Sequence, residues 1–183
     1  MAQPIGQTEK HEVVLAVAEE NRALLIQLDR VLAGIPAKTY TAAEGAFRRG
    51  GVGKHVRHVL EFYQSVLNEF PEVIDYDSRT RESEIEENPS AARERIRRLV
   101  SRIADLRTRI ENRSHDSIAK LLRFSSERPL GTVPTSVGRE LVFLSSHTVH
   151  HLALIRFILE SQGYELPDEF GVAPSTLRYE KKG

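Results

Sequence analysis

Asn88-Pro89 and the residues that follow constrain the fold more than any other part of the 183-residue chain. Asparagine is a favoured N-cap, and proline is favoured at the first helical position, where its missing N–H is not needed. Ala92, Ile96, Leu99, Ile103, Leu106 and Ile110 then follow in alternating steps of four and three. A seam of that period buries one side of a helix against other helices and leaves the opposite side to solvent. The spacing predicts a helix over 89–110 that cannot be stable without partners.

Three more stretches supply them. From Glu9 to Ile35, Val14, Val17, Leu24, Leu25, Leu28 and Leu32 recur at helical spacing, and Gly34 and Pro36 form a stop. After the Arg48–Gly53 turn, Val52, Val56, Val59, Tyr63, Val66 and Phe70 share a face that ends at Pro71. A last helix runs from about Ser136 to Gln162 and stops at Gly163. The charged stretch 71–88 reads as a loop, and 114–135, with Pro129, Gly131 and Pro134, as a connection that can hold a short extended hairpin. The prediction is an all-α protein, an antiparallel four-helix bundle with one long crossover. One domain is expected over 1–183, with an ordered core over about 9–163 and an irregular tail over 164–183.

The composition narrows the function. Lys+Arg and Asp+Glu both number 26, so the chain lacks the basic excess expected of a nucleic-acid binder or an anionic-membrane binder. The arginines between Arg93 and Arg109 lie opposite the Ile96/Leu99/Ile103 seam, as a solvated face would. With no cysteine there is no disulfide, thiolate nucleophile or Cys-ligated metal. No run approaches ~18 uninterrupted apolar residues, and the first eleven residues lack a signal peptide's basic and apolar regions. A soluble cytoplasmic protein with neither nucleic-acid nor membrane partners is expected.

Seven histidines stand out, five of them in two groups. His147 and His151 are i and i+4 on one helix face, predicted to point into a seam with Leu144, Leu154, Ile155 and Ile158. A lone inward histidine is usually satisfied by a carbonyl or carboxylate. Two on one line bring four ring nitrogens that need partners, and one divalent ion satisfies both. His55 and His58, i and i+3, flank the apolar stripe of the second helix. Histidines on two facing helices are how bundles build metal sites, and imidazole suits zinc, nickel and iron, with zinc favoured here. Protons should compete for unperturbed rings, so metal affinity is expected to fall between about pH 7 and pH 5. Ser145 and Ser146 lack a nucleophile elbow, and Glu140 reads as a helix-start carboxylate.

The segments GVGKHVRHVLEFYQ and GRELVFLSSHTVHHLALI, with DYDSRTRESEIEENP and FGVAPSTLRY, resemble the DinB-like superfamily of four-helix metalloproteins. The resemblance implies one divalent ion held by an H-x-x-x-H pair and one histidine of the second helix. These fall on His147, His151 and His58. His55 stands where the family usually has an apolar residue, and is either the alternative ligand or a residue behind the ligands, as is His150. The resemblance also implies a metal-dependent enzyme acting on a small molecule, as a hydrolase or a transferase using a low-molecular-weight thiol, and relatives often form dimers. A non-catalytic protein with a structural ion is the alternative. No catalytic residue is marked by a motif. Asp75, Tyr76, Asp77 and Arg79 form a candidate substrate pocket if their loop folds over the site; a solvated loop of self-paired charges is the plainer reading.

Overall fold

A computed structural model describes residues 7–43, 50–67, 73–112, 119–123 and 131–180. The chain is mostly helical. Its four long helices are α1 (Gln7–Gly34), α3 (Val52–Leu67), α5 (Pro89–Asn112) and α6 (Val137–Ser161). They lie where the apolar periodicity places them, because each buries a continuous stripe. Both α1 and α3 pack against α5 and α6. The core between them holds Leu25, Leu28, Val56, Leu60, Ile96, Leu99, Leu141 and Ile155. The caps act as their chemistry requires. Asn88 Oδ1 accepts from the Ser90 and Ala91 amides at 2.9 and 3.3 Å, and Ser136 Oγ accepts from the Arg139 amide at 3.2 Å. Phe70 lies outside the described residues.

The mostly helical fold agrees with the all-α expectation, and short elements fill the connections. Stretch 71–88 is more than a loop: it carries β1 (Val73–Asp75) and α4 (Ser83–Glu87). In the 114–135 connection, which the sequence allowed to hold a hairpin, the described strands β2 (Ala119–Arg123) and β3 (Thr132–Ser136) pair antiparallel, and residues 114–118 and 124–130 lie outside the described residues. β1 adds to β2 in parallel, Ile74 opposite Leu122, making a three-stranded sheet in the order β1-β2-β3. A parallel partner some fifty residues away leaves no local trace. One short helix, α2 (Ala37–Thr41), places Tyr40 in the core, where its hydroxyl donates to the Ile85 carbonyl of α4 at 2.5 Å. Gly53 lets α3 reach α4, because a Cβ there would collide with the Glu86 carbonyl and approach the Tyr40 ring to 2.9 Å.

The tail after 163 is not irregular throughout. It docks Phe170 into the core and ends in α7 (Pro174–Glu180). Arg156 Nη1 holds it by donating to the carbonyls of Pro167, Asp168 and Phe170 at 3.3, 2.9 and 2.9 Å. Gly171, at φ 74°, lets the chain lie close against α6, because a Cβ there would fall 2.8 Å from the Ala153 amide nitrogen. α6 is long and apolar enough, by length and composition, to cross a membrane. In this structure it packs on α1 and α3, with Leu141, Leu144, Leu152, Ile155 and Leu159 buried.

A buried polar chain ties three long helices together. Asn21 of α1 donates to the Leu141 carbonyl at 2.9 Å, Tyr63 of α3 donates to Asn21 Oδ1 at 2.7 Å, and Thr148 of α6 donates to the Tyr63 hydroxyl at 3.1 Å. Each member is satisfied, which is the condition for burying such groups without a net penalty.

Candidate metal centre

The α3–α6 contact brings the two histidine groups together. His58, His147 and His151 each offer a ring nitrogen, and these nitrogens lie within 4.8 Å of one another. The ring centroids are 5.0 Å apart for His58–His147, 4.7 Å for His58–His151 and 4.5 Å for His147–His151. All three rings are half-buried, at the edge of the core and not in its apolar seam. Of the seam predicted with them, Leu144, Ile155 and Ile158 are buried and Leu154 is partly buried, while the fully inward line of α6 runs through Leu141, Thr148, Leu152 and Leu159. One step of 100° separates those two lines, so periodicity alone placed the histidines too deep.

His55 stands behind the group. Its Nδ1 is 3.0 Å from Nδ1 of His151, and its ring packs where Gly50 leaves space. One of the two nitrogens carries the hydrogen and the other accepts it. With Nδ1 of His151 donating to Nδ1 of His55, Nε2 of His151 keeps its lone pair and is the nitrogen of that ring available to an ion. His150 is exposed and touches His151 at 5.2 Å between centroids.

Burial holds the three rings neutral. It pushes His58 down to about 4, helped by the charges of Arg79 and His147. His147 falls to about 4 through burial and then His150 and Arg79. His151 falls to about 3 through burial, His147, His58, His55 and His150. His55 is lowered for the same first reason, burial, with His150 and Lys54 adding to it. Proton competition for a metal therefore shifts below the window expected of unperturbed rings.

The donor set fits a divalent cation. Three neutral imidazoles within one ion's reach match a site that keeps positions open. Nδ1 of His147 is buried without a hydrogen-bond partner, a desolvation cost that a directly bonded cation relieves.

Aromatic rings wall the group on one side. Phe62 stacks on His147 at 4.2 Å, and Tyr76 stacks on Phe62 at 4.8 Å. Phe143 lies 5.5 Å from His147. Sequence reasoning passed over Phe62 and Phe143, although the signal was there: they stand four residues from His58 and His147. The expected pocket loop divides. Tyr76 and Arg79 reach the wall, with the Arg79 guanidinium 4.4 Å over the Phe62 ring. Asp75 is turned the other way, its Oδ1 accepting the Asp77 and Ser78 amides at 2.9 and 3.2 Å. Asp77 is exposed. Asp75 and Arg79 line, with Glu61 and Glu82, a cavity of about 380 Å³.

Glu140 does more than sit at a helix start. It is fully buried and accepts hydrogen bonds from Tyr76 at 2.6 Å, Thr135 at 2.5 Å and Arg139 at 3.3 Å. Burial and then this carboxylate push the Tyr76 hydroxyl up, so it stays protonated and fixed as a donor. Ser145 is likewise occupied, donating to Glu20 at 2.5 Å. Arg93 pairs with Asp29 at 2.9 Å and Arg95 with Glu82 at 2.8 Å, so these two arginines hold α5 in place.

Fold and site together define a mostly helical protein in which three histidines from two helices can hold a metal ion. No family model matches the chain, and no solved structure matches it. Among curated proteins it is similar to FK506-binding protein 5 of Rhizopus delemar, 36% identical over 115 residues. That alignment covers 60% of this chain and 28% of the relative, so the chain spans little more than a quarter of that protein's length.

Proposed function

We propose that this chain is a divalent-metal protein of the DinB-like class, its four long helices forming an antiparallel bundle, and that it acts as an enzyme on a small molecule. The observation that carries the reading is the convergence of three neutral imidazoles, with ring nitrogens within 4.8 Å of one another. His58, His147 and His151 are the proposed ligands, with zinc the first choice and nickel or iron the others. A bound ion of this kind supplies Lewis acidity and lowers the pKa of a coordinated water or thiol.

The chain's own residues do the rest. His55 orients His151, Tyr76 is pinned by Glu140, and Phe62 and Phe143 exclude water from one side. The half-buried rings favour catalysis over a structural role, because a structural ion is normally closed off by four protein ligands. A hydrolase or a low-molecular-weight-thiol transferase fits such a site, in a soluble cytoplasmic protein that associates as a dimer.

The test is metal analysis of protein purified without a polyhistidine tag or nickel resin, then incubated with Zn²⁺, Ni²⁺ or Fe²⁺. About one ion per chain is expected, and none in a His58→Ala/His147→Ala/His151→Ala triple variant. No uptake by the wild type for any of the three ions ends the proposal.

A further inference from the structure

The charge around the three histidines is unbalanced. The ring nitrogens are neutral, and among the described residues the group contains no carboxylate. A divalent ion held there keeps its full charge, which a half-buried site screens poorly. The buried carboxylates nearby are already committed. Glu140 accepts from Tyr76, Thr135 and Arg139. Glu61 accepts the Glu82 amide at 2.9 Å and lies 3.7 Å from Arg57.

Arg79 adds a further positive charge to the same wall. Its guanidinium sits 4.4 Å over Phe62, the ring that stacks on His147 at 4.2 Å and touches His58 at 4.7 Å. Its tie to Glu61 is long, 3.7 Å, and its Nε makes no hydrogen bond although it is buried. Its charge acts on both His58 and His147, and with Nε unpaired the guanidinium can take a carboxylate-like partner in addition to Glu61.

We infer that the substrate is a small anion, its negative group taken up between the ion held by the three histidines and Arg79, which makes Arg79 a specificity-determining residue. This rests on the metal reading above. It adds the charge of the substrate and the side chain that reads it.

The experiment uses the full chain loaded with Co²⁺ and follows visible absorption at pH 7.5. Acetate and azide are the anionic probes, and imidazole is the neutral one. Wild type, Arg79→Leu and Arg79→Lys are compared. Removing a unit charge a few ångströms from the bound anion should weaken acetate and azide by about tenfold in Arg79→Leu. Imidazole should change by less than about twofold, because it carries no charge for Arg79 to read. Arg79→Lys should recover most of the anion affinity, and Arg79→Leu should bind Co²⁺ at least as tightly as wild type once the repelling cation is gone. Equal weakening of imidazole and the anions, unchanged anion affinity, or weaker Co²⁺ binding in Arg79→Leu would each overturn the inference and leave the metal reading standing. A wild type that takes up no Co²⁺ ends both.

Discussion

The pH dependence of metal binding separates buried ligands from ordinary surface histidines by orders of magnitude. Three imidazoles of ordinary pKa, ~6.5, would lose about 10⁴-fold in apparent affinity between pH 7 and pH 5, because each must shed a proton to bind. In the structure, burial places His58 and His147 at about 4 and His151 at about 3. Fewer than about one ring in ten is then protonated at pH 5, and affinity should fall by less than about twofold over the same range. The steep loss moves to below about pH 4.5. Isothermal titration with Co²⁺ in non-coordinating buffers at pH 7, 6 and 5 reads this directly. Circular dichroism at each pH is the control, for a reason with a definite sign. Between pH 6.5 and about 4 the unfolded chain binds more protons at these rings than the folded one, so the metal-free fold loses stability as pH falls through that window. A drop in affinity of more than about 100-fold between pH 7 and pH 5, with the fold intact, would refute the claim that the rings are held neutral by burial.

Replacing His151 with Ala should abolish Co²⁺ binding yet leave a cooperative helical protein, since Leu141, Leu144, Ile155 and Leu99 pack without the ion; the loss of metal stabilisation, ~4 kcal/mol at a thousandfold excess over Kd, is read by thermal melts with and without metal. Chelated wild type that loses near-UV circular dichroism would instead show that the ion holds the core together. His55→Ala should weaken metal binding by about 10–100-fold through the freed His151 ring, with His55→Asn recovering part of it, both measured by competition with a chromogenic chelator. Gly53→Ala should cost about 1–3 kcal/mol through the forced separation of α3 from α4, lowering Tm by about 3–10 °C in a calorimeter; an unchanged Tm would mean that the contact relaxes freely.

The four long helices and the Asn88 cap were legible in the residues alone, because a helix satisfies its hydrogen bonds within itself and shows its buried side every three or four positions. Asn88 caps where its chemistry predicts, and the i, i+4 spacing of His147 and His151 is enough to align two rings on one face. Which rings meet across helices was a different matter. Tertiary structure decided that His58 joins His147 and His151 while His55 stands behind His151, a distinction set by how α3 is rotated against α6. It decided that β1 pairs with a strand some fifty residues on, that Phe170 fills the core from the tail, and that Arg79 lies over Phe62 while Asp75 turns away. Those contacts join segments whose separation along the chain carries no period. They are selected by shape, burial and the need to satisfy polar groups such as Tyr63, Asn21 and Glu140 once the helices have come together.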